Sequence, residues 1–282
     1  MLLFQAIILG LVQGLTEFIP VSSSGHLVAI PALLGWDAPS VTFDTILHLG
    51  TLLAVVIYFW NEWRRILVVL GRALAGIFSL SQRQKIDRRD ARLLGLLAIG
   101  TIPALIIGYI FRDEFARVFD SLLFVTMFFL ITAVLLTVVE LFLRRRDSRG
   151  SRGERPILPG WMGSFGIGVL QALAILPGLS RSGLTISGGI FSGLSREGAA
   201  RFSFLLSAPV ILAAGGLGLI ELQSSSLTNN DLLSLIVGFS VAAVSGWLAI
   251  YWLLKFLRRQ KLYVFSVYLI VLSLVIIWLG KF

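Results

Sequence analysis

Gln13 and Glu17 stand four residues apart in an otherwise apolar stretch, and Ser22, Ser23, Ser24, Gly25 and His26 follow them closely. At that spacing Gln13 and Glu17 share one helix face. Far downstream, Pro177-Gly-Leu-Ser-Arg-Ser-Gly183 brings Ser180, Arg181 and Ser182 together, with Thr185 just beyond. A planar guanidinium meets phosphate oxygens with paired donors, and glycines beside small hydroxyls let a phosphate approach closely. Phosphoryl transfer needs charge neutralisation on the equatorial oxygens, a positioned nucleophile and a proton for the leaving group. A cation clamp, a carboxylate, an imidazole and several hydroxyls meet those needs. Spacing does not assign the nucleophile.

A plainer reading makes Glu17 and His26 a polar pair between helices, and Arg181 a snorkelling arginine near the cytoplasmic face. Against the first, a later segment repeats this one and carries Ile175 and Leu184 at the matching positions, so the fold is built there without these groups. Arg196 and Arg201 read as edge residues. Asp44 and His48, one turn apart in Phe43-Asp-Thr-Ile-Leu-His-Leu-Gly50, either line the same cavity or form a buried structural pair, and stand outside the core site.

The elements that must hold these residues lie in lipid. Of 282 residues, 57% are hydrophobic and 14% charged, far from the balance of a soluble domain. Crossing roughly 30 Å of hydrocarbon takes about 20 apolar residues. Residues 43–60, 91–111, 119–143, 203–221, 232–254 and 262–281 read as six full spans, with Glu140 near one end of the third. Residues 1–36 and 160–194 are also apolar but are broken by Pro20-Val-Ser-Ser-Ser-Gly25 and Pro177-Gly-Leu-Ser-Arg-Ser-Gly183. Non-helical backbone at membrane depth survives only when buried in protein or lining a wet cavity. Both regions therefore read as re-entrant helix-loop-helix hairpins. Residues 63–79, with Arg64, Arg65 and Arg72, read as an interfacial helix. The first ten residues lack a basic leader, and Gln13 and Glu17 are foreign to a cleaved signal peptide, so this segment reads as part of the mature fold.

The chain has no cysteine, which excludes disulfides and thiolate metal ligands. Its net charge of +9 reflects topology rather than nucleic-acid binding, because basic residues collect on cytoplasmic loops. Of 24 Lys and Arg residues, eight fall in 62–92, six in 144–155 and four in 255–261. Six spans put these three segments on one side and both termini outward. The opposite loops, 112–118 and 222–231, hold only Arg112 and Arg117. A seventh span at 63–79 would split the basic loops between sides.

Shifting the chain by 158 residues lays Gly10 on Gly168, Gln13 on Gln171, Leu15 on Leu173, Ser22 on Ser180, Ser24 on Ser182, Gly25 on Gly183 and Gly35 on Gly193. Three spans separate the copies, so the second enters from the opposite side. The expected architecture is an all-α integral membrane protein with an inverted-topology repeat in a single membrane domain, 1–282. Repeat 1 covers about 1–111 and repeat 2 about 160–282, joined by the span 119–143 and the basic loop 144–159. In such designs broken helices meet near the midplane with their N-termini toward anionic groups. A transporter and a lipid-handling enzyme both suit that arrangement.

At these residues the chain resembles the undecaprenyl-diphosphatase family, also known for bacitracin resistance. Gln13-Gly-Leu-Thr-Glu17 matches its Glu/Gln-x-x-x-Glu motif, Ser22 to His26 match the adjoining stretch ending in Gly-His, and Pro177 to Thr185 match Pro-Gly-x-Ser-Arg-Ser-x-x-Thr. The likeness runs nearly end to end. It implies hydrolysis of undecaprenyl diphosphate to the monophosphate, recycling the carrier for peptidoglycan synthesis in the bacterial cytoplasmic membrane. The site would open toward the outer face.

The resemblance further implies that Glu17 acts as base or helps hold a divalent cation, Mg or Ca, with Gln13 beside it. His26 would serve in proton transfer, Arg181 would bind the diphosphate, and Ser23 would be nucleophile or phosphate ligand. Ser22, Ser24, Ser180, Ser182 and Thr185 would complete the phosphate nest. Gln13 is uncharged where the motif also takes an acid, leaving one carboxylate fewer for a metal. The expected partners are a polyprenyl diphosphate and the surrounding membrane lipids. Nucleic acid and organic cofactors are not expected, and a homodimer is admitted.

A transporter or flippase of the polyprenyl phosphate carrier is the main competitor, and only the enzyme releases inorganic phosphate. Ser24-Gly25-His26 and Ser180-Arg181 superficially match a phosphatidic-acid-type phosphatase, but that pattern requires a later histidine and none follows His48. A purely structural membrane protein would not need two polar loops in register.

Overall fold

A chain segment in lipid must satisfy its own backbone polar groups, so long apolar runs wind into helices. The computed structural model describes residues 2–76, 86–111, 121–148, 156–222 and 229–280. Among the described residues there are eleven helices and no strand. They are α1 (Leu3–Phe18), α2 (Ser23–Leu34), α3 (Val41–Tyr58), α4 (Trp60–Ala75), α5 (Arg88–Ile110), α6 (Leu122–Ser148), α7 (Trp161–Leu173), α8 (Arg181–Phe191), α9 (Arg196–Leu222), α10 (Asn229–Leu257) and α11 (Tyr263–Trp278).

Five helices, α3, α5, α6, α9 and α10, are long and apolar enough to cross a membrane, which makes the chain a multi-pass membrane protein. The sixth expected span appears as α11, 16 residues long. At 1.5 Å per residue it reaches about 24 Å, short of a full hydrocarbon thickness of roughly 30 Å. Helix α4 forms where an interfacial helix was expected, but starts earlier, at Trp60. Residues 77–79 of that expectation, 119–120 of the third span, the loop 112–118 and parts of the basic loops and of 222–231 lie outside the described residues.

Both interrupted apolar regions are helix pairs with a break where Pro, Gly and Ser predict one: α1 with α2, and α7 with α8. Helix α1 packs on α10, and α7 packs on α5. Small residues allow these approaches. A Cβ on Gly10 would stand 2.8 Å from the Gly238 carbonyl oxygen, and one on Gly168 would stand 2.5 Å from that of Gly100. Ser245 Oγ donates to the Gly10 carbonyl at 3.4 Å, and Ser164 Oγ to the Leu96 carbonyl at 2.6 Å. Matching glycines of the two copies thus seat each broken pair against a long helix from the other half of the chain. Helix α3 adds contacts to α9 and α10, and α6 packs on α11.

A buried ion pair fastens one side of this bundle. Glu140 on α6, 2% exposed, accepts from Arg196 on α9 through Nε at 3.1 Å and also through Nη2. The Leu262 amide donates to the same carboxylate at 3.2 Å. Arg201, also expected at an edge, pairs with Glu62 at 2.9 Å and lies over the Phe59 ring. Removing one partner of a buried pair leaves an uncompensated charge and costs about 3–5 kcal/mol. Glu140→Ala is therefore expected to lower the Tm of the detergent-solubilised protein clearly. A Tm equal to that of the unmodified protein would show that the pair contributes no net stability.

Candidate active site

Pro20 cannot donate an amide hydrogen bond and drives Ile19 before it into extended backbone, φ −64° and ψ 134°, which ends α1. The chain restarts as α2 with Ser22 as its N-cap, the Ser22 hydroxyl accepting from the Gly25 amide at 3.3 Å. Ser180 caps α8 in the same way, accepting from the Gly183 amide at 3.0 Å. The next hydroxyls match too: Ser22 lies 3.4 Å from Ser24, and Ser180 lies 3.2 Å from Ser182. Gly35 and Gly193, beyond α2 and α8, both take positive φ, 68° and 100°. Both breaks thus carry a serine cap, a second hydroxyl beside it and a positive-φ glycine after the following helix.

The copies differ in backbone torsion at the capping serine, and again two residues earlier, where Gly178 takes φ 93° opposite Pro20. Ser22 sits at φ 71°, the one non-glycine residue with positive φ among the described residues, whereas Ser180 sits at φ −72°. Held backbone of that kind costs about 1–3 kcal/mol and is found at functional sites.

The starts of α2 and α8 meet at Glu17, the buried carboxylate in the penultimate position of α1. Arg181 Nη2 stands 2.6 Å from Glu17 Oε1. On the other oxygen, Ser23 Oγ donates at 2.5 Å and Gln13 Nε2 at 2.9 Å. Ser182 Oγ donates to the Ile19 carbonyl at 3.1 Å, adding a second tie between the hairpins. Gln13, Glu17, Ser23 and Arg181 thus converge. Ser22, Ser24, Ser180 and Ser182 shape the two loops around them. Thr185 bonds Ser203 at 2.6 Å and the Arg181 carbonyl at 2.8 Å, fixing the first turn of α8 rather than reaching Glu17.

Two polar atoms in this cluster are buried without a hydrogen-bond partner, Arg181 Nη1 and Gln13 Oε1. One is a donor and one an acceptor, and buried groups of this kind ordinarily find partners. They are the donor and acceptor the centre can still offer a ligand.

His26 stands apart from that cluster. Its Nδ1 lies 2.7 Å from the Ser22 carbonyl and its Nε2 2.7 Å from the Tyr268 hydroxyl on α11, so both ring nitrogens are taken. His48 is the residue that sequence reasoning left outside the core. Its Nδ1 bonds the backbone carbonyl of Asp44 at 2.7 Å, and its Nε2 faces Glu17 Oε2 at 3.8 Å. No side-chain hydrogen bond joins Asp44 to His48: the bond goes to the Asp44 carbonyl, in the same i to i−4 geometry that His26 makes with Ser22, and Nε2 is turned to Glu17. The one sequence signal was a histidine inside a span, since intramembrane ionisable groups are functional by default.

For a divalent cation, no three His, Asp or Glu side chains cluster among the described residues. The Glu17 carboxylate and the unpartnered Gln13 Oε1 offer two hard oxygen donors. That set fits an ion such as Mg, which is usually held by one or two carboxylates with substrate phosphates completing its shell.

Fold and centre together define a class: a multi-pass, all-helical membrane protein in which two broken helix pairs enclose a carboxylate–guanidinium centre. Residues 6–275 match the family described as Bacitracin resistance protein BacA, and the chain belongs to that family. Curated relatives include an undecaprenyl-diphosphatase of Prosthecochloris aestuarii, 40% identical over 98% of this chain and 96% of its own. Another, from Chlorobaculum tepidum, is 41% identical over 96% of this chain and 95% of its own. A third, from Chloroherpeton thalassium, is 40% identical over 96% and 94%.

Proposed function

We propose that this protein hydrolyses undecaprenyl diphosphate to undecaprenyl phosphate and inorganic phosphate, the activity for which its relatives are named. The observation that carries the reading is Glu17 held between Arg181 of one hairpin and Ser23 of the other. The Arg181 guanidinium binds the diphosphate with its free Nη1 edge and spreads charge over the transferring phosphoryl group. Ser23 Oγ attacks the terminal phosphorus and passes its proton to Glu17. The bond from phosphorus to the bridging oxygen breaks, and the lipid monophosphate leaves with that oxygen taking the proton from Glu17. Water, deprotonated by a Glu17 that has shed the first proton, then cleaves the phosphoserine and releases phosphate. A divalent cation, held by Glu17, Gln13 and the diphosphate itself, would supply further charge neutralisation.

The N-termini of α2 and α8 add partial positive charge at the same place, which favours an anionic headgroup. The apolar surfaces of the long helices accommodate the prenyl tail. In this reading α11 is the sixth membrane crossing, the two helix pairs are re-entrant, and the halves form an inverted repeat. The bacterial cytoplasmic membrane is the location, with the centre opening to the outer face.

Purified protein in detergent is expected to release phosphate from undecaprenyl diphosphate and to slow strongly when a chelator removes divalent cations. Full activity in chelator would remove the metal from the mechanism. No release from folded protein would end the phosphatase reading and favour transport of the carrier.

A further inference from the structure

Tyr268 meets His26 through a hydrogen bond and ring stacking, and His26 makes no hydrogen bond to Glu17, Ser23 or Arg181. The two are nevertheless joined to the centre by a continuous path. Tyr268 Oη lies 2.7 Å from His26 Nε2, and His26 Nδ1 lies 2.7 Å from the Ser22 carbonyl oxygen. A carbonyl only accepts, so Nδ1 carries a proton. The same carbonyl accepts the His26 amide at 3.2 Å. The Tyr268 and His26 rings lie nearly parallel, 5° apart, and Phe129 closes on the imidazole with its centroid 5.2 Å away. The imidazole, 2% exposed, is thereby fixed in position and rotation.

What it grips is the one non-glycine residue held at positive φ, Ser22, whose next residue is Ser23. The second hairpin is an internal control. Ser180 makes the same cap at ordinary φ, and the position of His26 is there Leu184, which offers no hydrogen bond. The positive torsion of Ser22 and its grip occur together in the copy that carries Ser23 and Glu17; in the other copy Ser180 has neither, and positive φ falls instead at Gly178. The cap alone does not require that torsion.

We propose that Tyr268 and His26 are positioning residues: they form a strap from α11 that holds the Ser22 turn in its positive-φ state and so aims the Ser23 hydroxyl at Glu17. The strap rests on the phosphatase reading of this centre, and it gives His26 a holding role where a proton-transfer role was expected. Tyr268 comes from the far end of the chain, so α11 supports the reaction without contributing a group to it.

The test uses glycine, which takes positive φ about as readily as negative and leaves a serviceable N-cap. If the strap acts through the Ser22 torsion, Ser22→Gly makes it dispensable. With undecaprenyl diphosphate and full-length protein, Tyr268→Phe is expected to lower kcat about tenfold, a barrier change of ~1.4 kcal/mol, with KM within about twofold. Introduced into Ser22→Gly, the same Tyr268→Phe change is expected to alter kcat by less than about twofold, the departure from additivity that marks coupled residues. Equal losses in the two backgrounds would overturn the strap, and so would an unchanged kcat of Tyr268→Phe in the natural background. Should Ser22→Gly not turn over, Ser22→Asn serves as the second background, since asparagine also caps helices and is enriched at positive φ. If neither background turns over, kcat of Tyr268→Phe in the natural background decides alone. Absence of phosphate release from the unmodified protein would instead be a failure of the phosphatase reading itself.

Discussion

Arg181→Ala is expected to lower phosphate release from undecaprenyl diphosphate by about a thousandfold or more, the scale on which a single arginine acts in phosphoryl transfer. Two losses combine in that figure. The guanidinium is the cation that bridges the two hairpins, 2.6 Å from Glu17, and its Nη1 is the unpartnered donor available to a phosphate oxygen. Without it, Glu17 remains a buried carboxylate deprived of its main counter-charge, and the transferring group loses its clamp. Arg181→Lys is expected to recover little, because an ammonium cannot present one nitrogen to Glu17 and another to phosphate in a fixed plane. Phosphate assays on protein shown to be folded by gel filtration in detergent check both substitutions. Activity of Arg181→Ala within tenfold of the unmodified enzyme would remove Arg181 from the centre.

Glu17→Gln is the second large effect, with kcat expected to fall about a hundredfold to ten-thousandfold, the range of a positioned proton acceptor. The substitution preserves shape but not acceptors. At present one carboxylate oxygen receives Arg181, while the other receives Ser23 and Gln13. A carboxamide has one oxygen, so one of these donors must face an NH2 group. KM is expected to change less than kcat, because Arg181 survives to bind the headgroup. A steady-state comparison of the two parameters checks this. A loss confined to KM would make Glu17 a binding residue and move the proton elsewhere.

Much of this arrangement was legible in the chain because lipid makes few exceptions. Apolar runs broken by Pro, Gly and Ser can only be helix pairs with a shielded loop, and both breaks occur where Pro20 and Pro177 announce them. The offset of 158 residues foretold matching caps at Ser22 and Ser180. Glu17, Ser23 and Arg181 were recognisable because polar groups are costly in those settings.

Other features depend on contacts that local pattern does not encode. His48 has an ordinary partner one turn away, Asp44, and its approach to Glu17 depends on how α3 lies beside α1. Tyr268 is one aromatic residue among many on an apolar helix, and its bond to His26 joins residues 242 apart. The positive φ of Ser22 left no trace either, since the sequence carries serine where glycine would have signalled it. The helix ends moved for a simpler reason: α11 stops at Trp278 because Gly280, just beyond, turns the chain at φ 59°.

The close seat of α1 bears on how the protein is made. A Cβ on Gly14 would fall 1.9 Å from Ser245 Oγ, and Ser245 itself bonds Gly10 across 235 residues. The loop bearing Glu17 and Ser23 therefore leaves the ribosome well before the surface that seats its helix, 235 residues further along the chain. Until α10 emerges, α1 has α2 and α3 beside it but lacks its main support, and Arg181 joins Glu17 only once α8 is made. The Glu17–Arg181 pair therefore waits on α8, the seat of α1 waits on α10, and the Tyr268 contact waits on α11. A chain stopped before α10 carries Gln13, Glu17 and Ser23 without the surface that seats their helix.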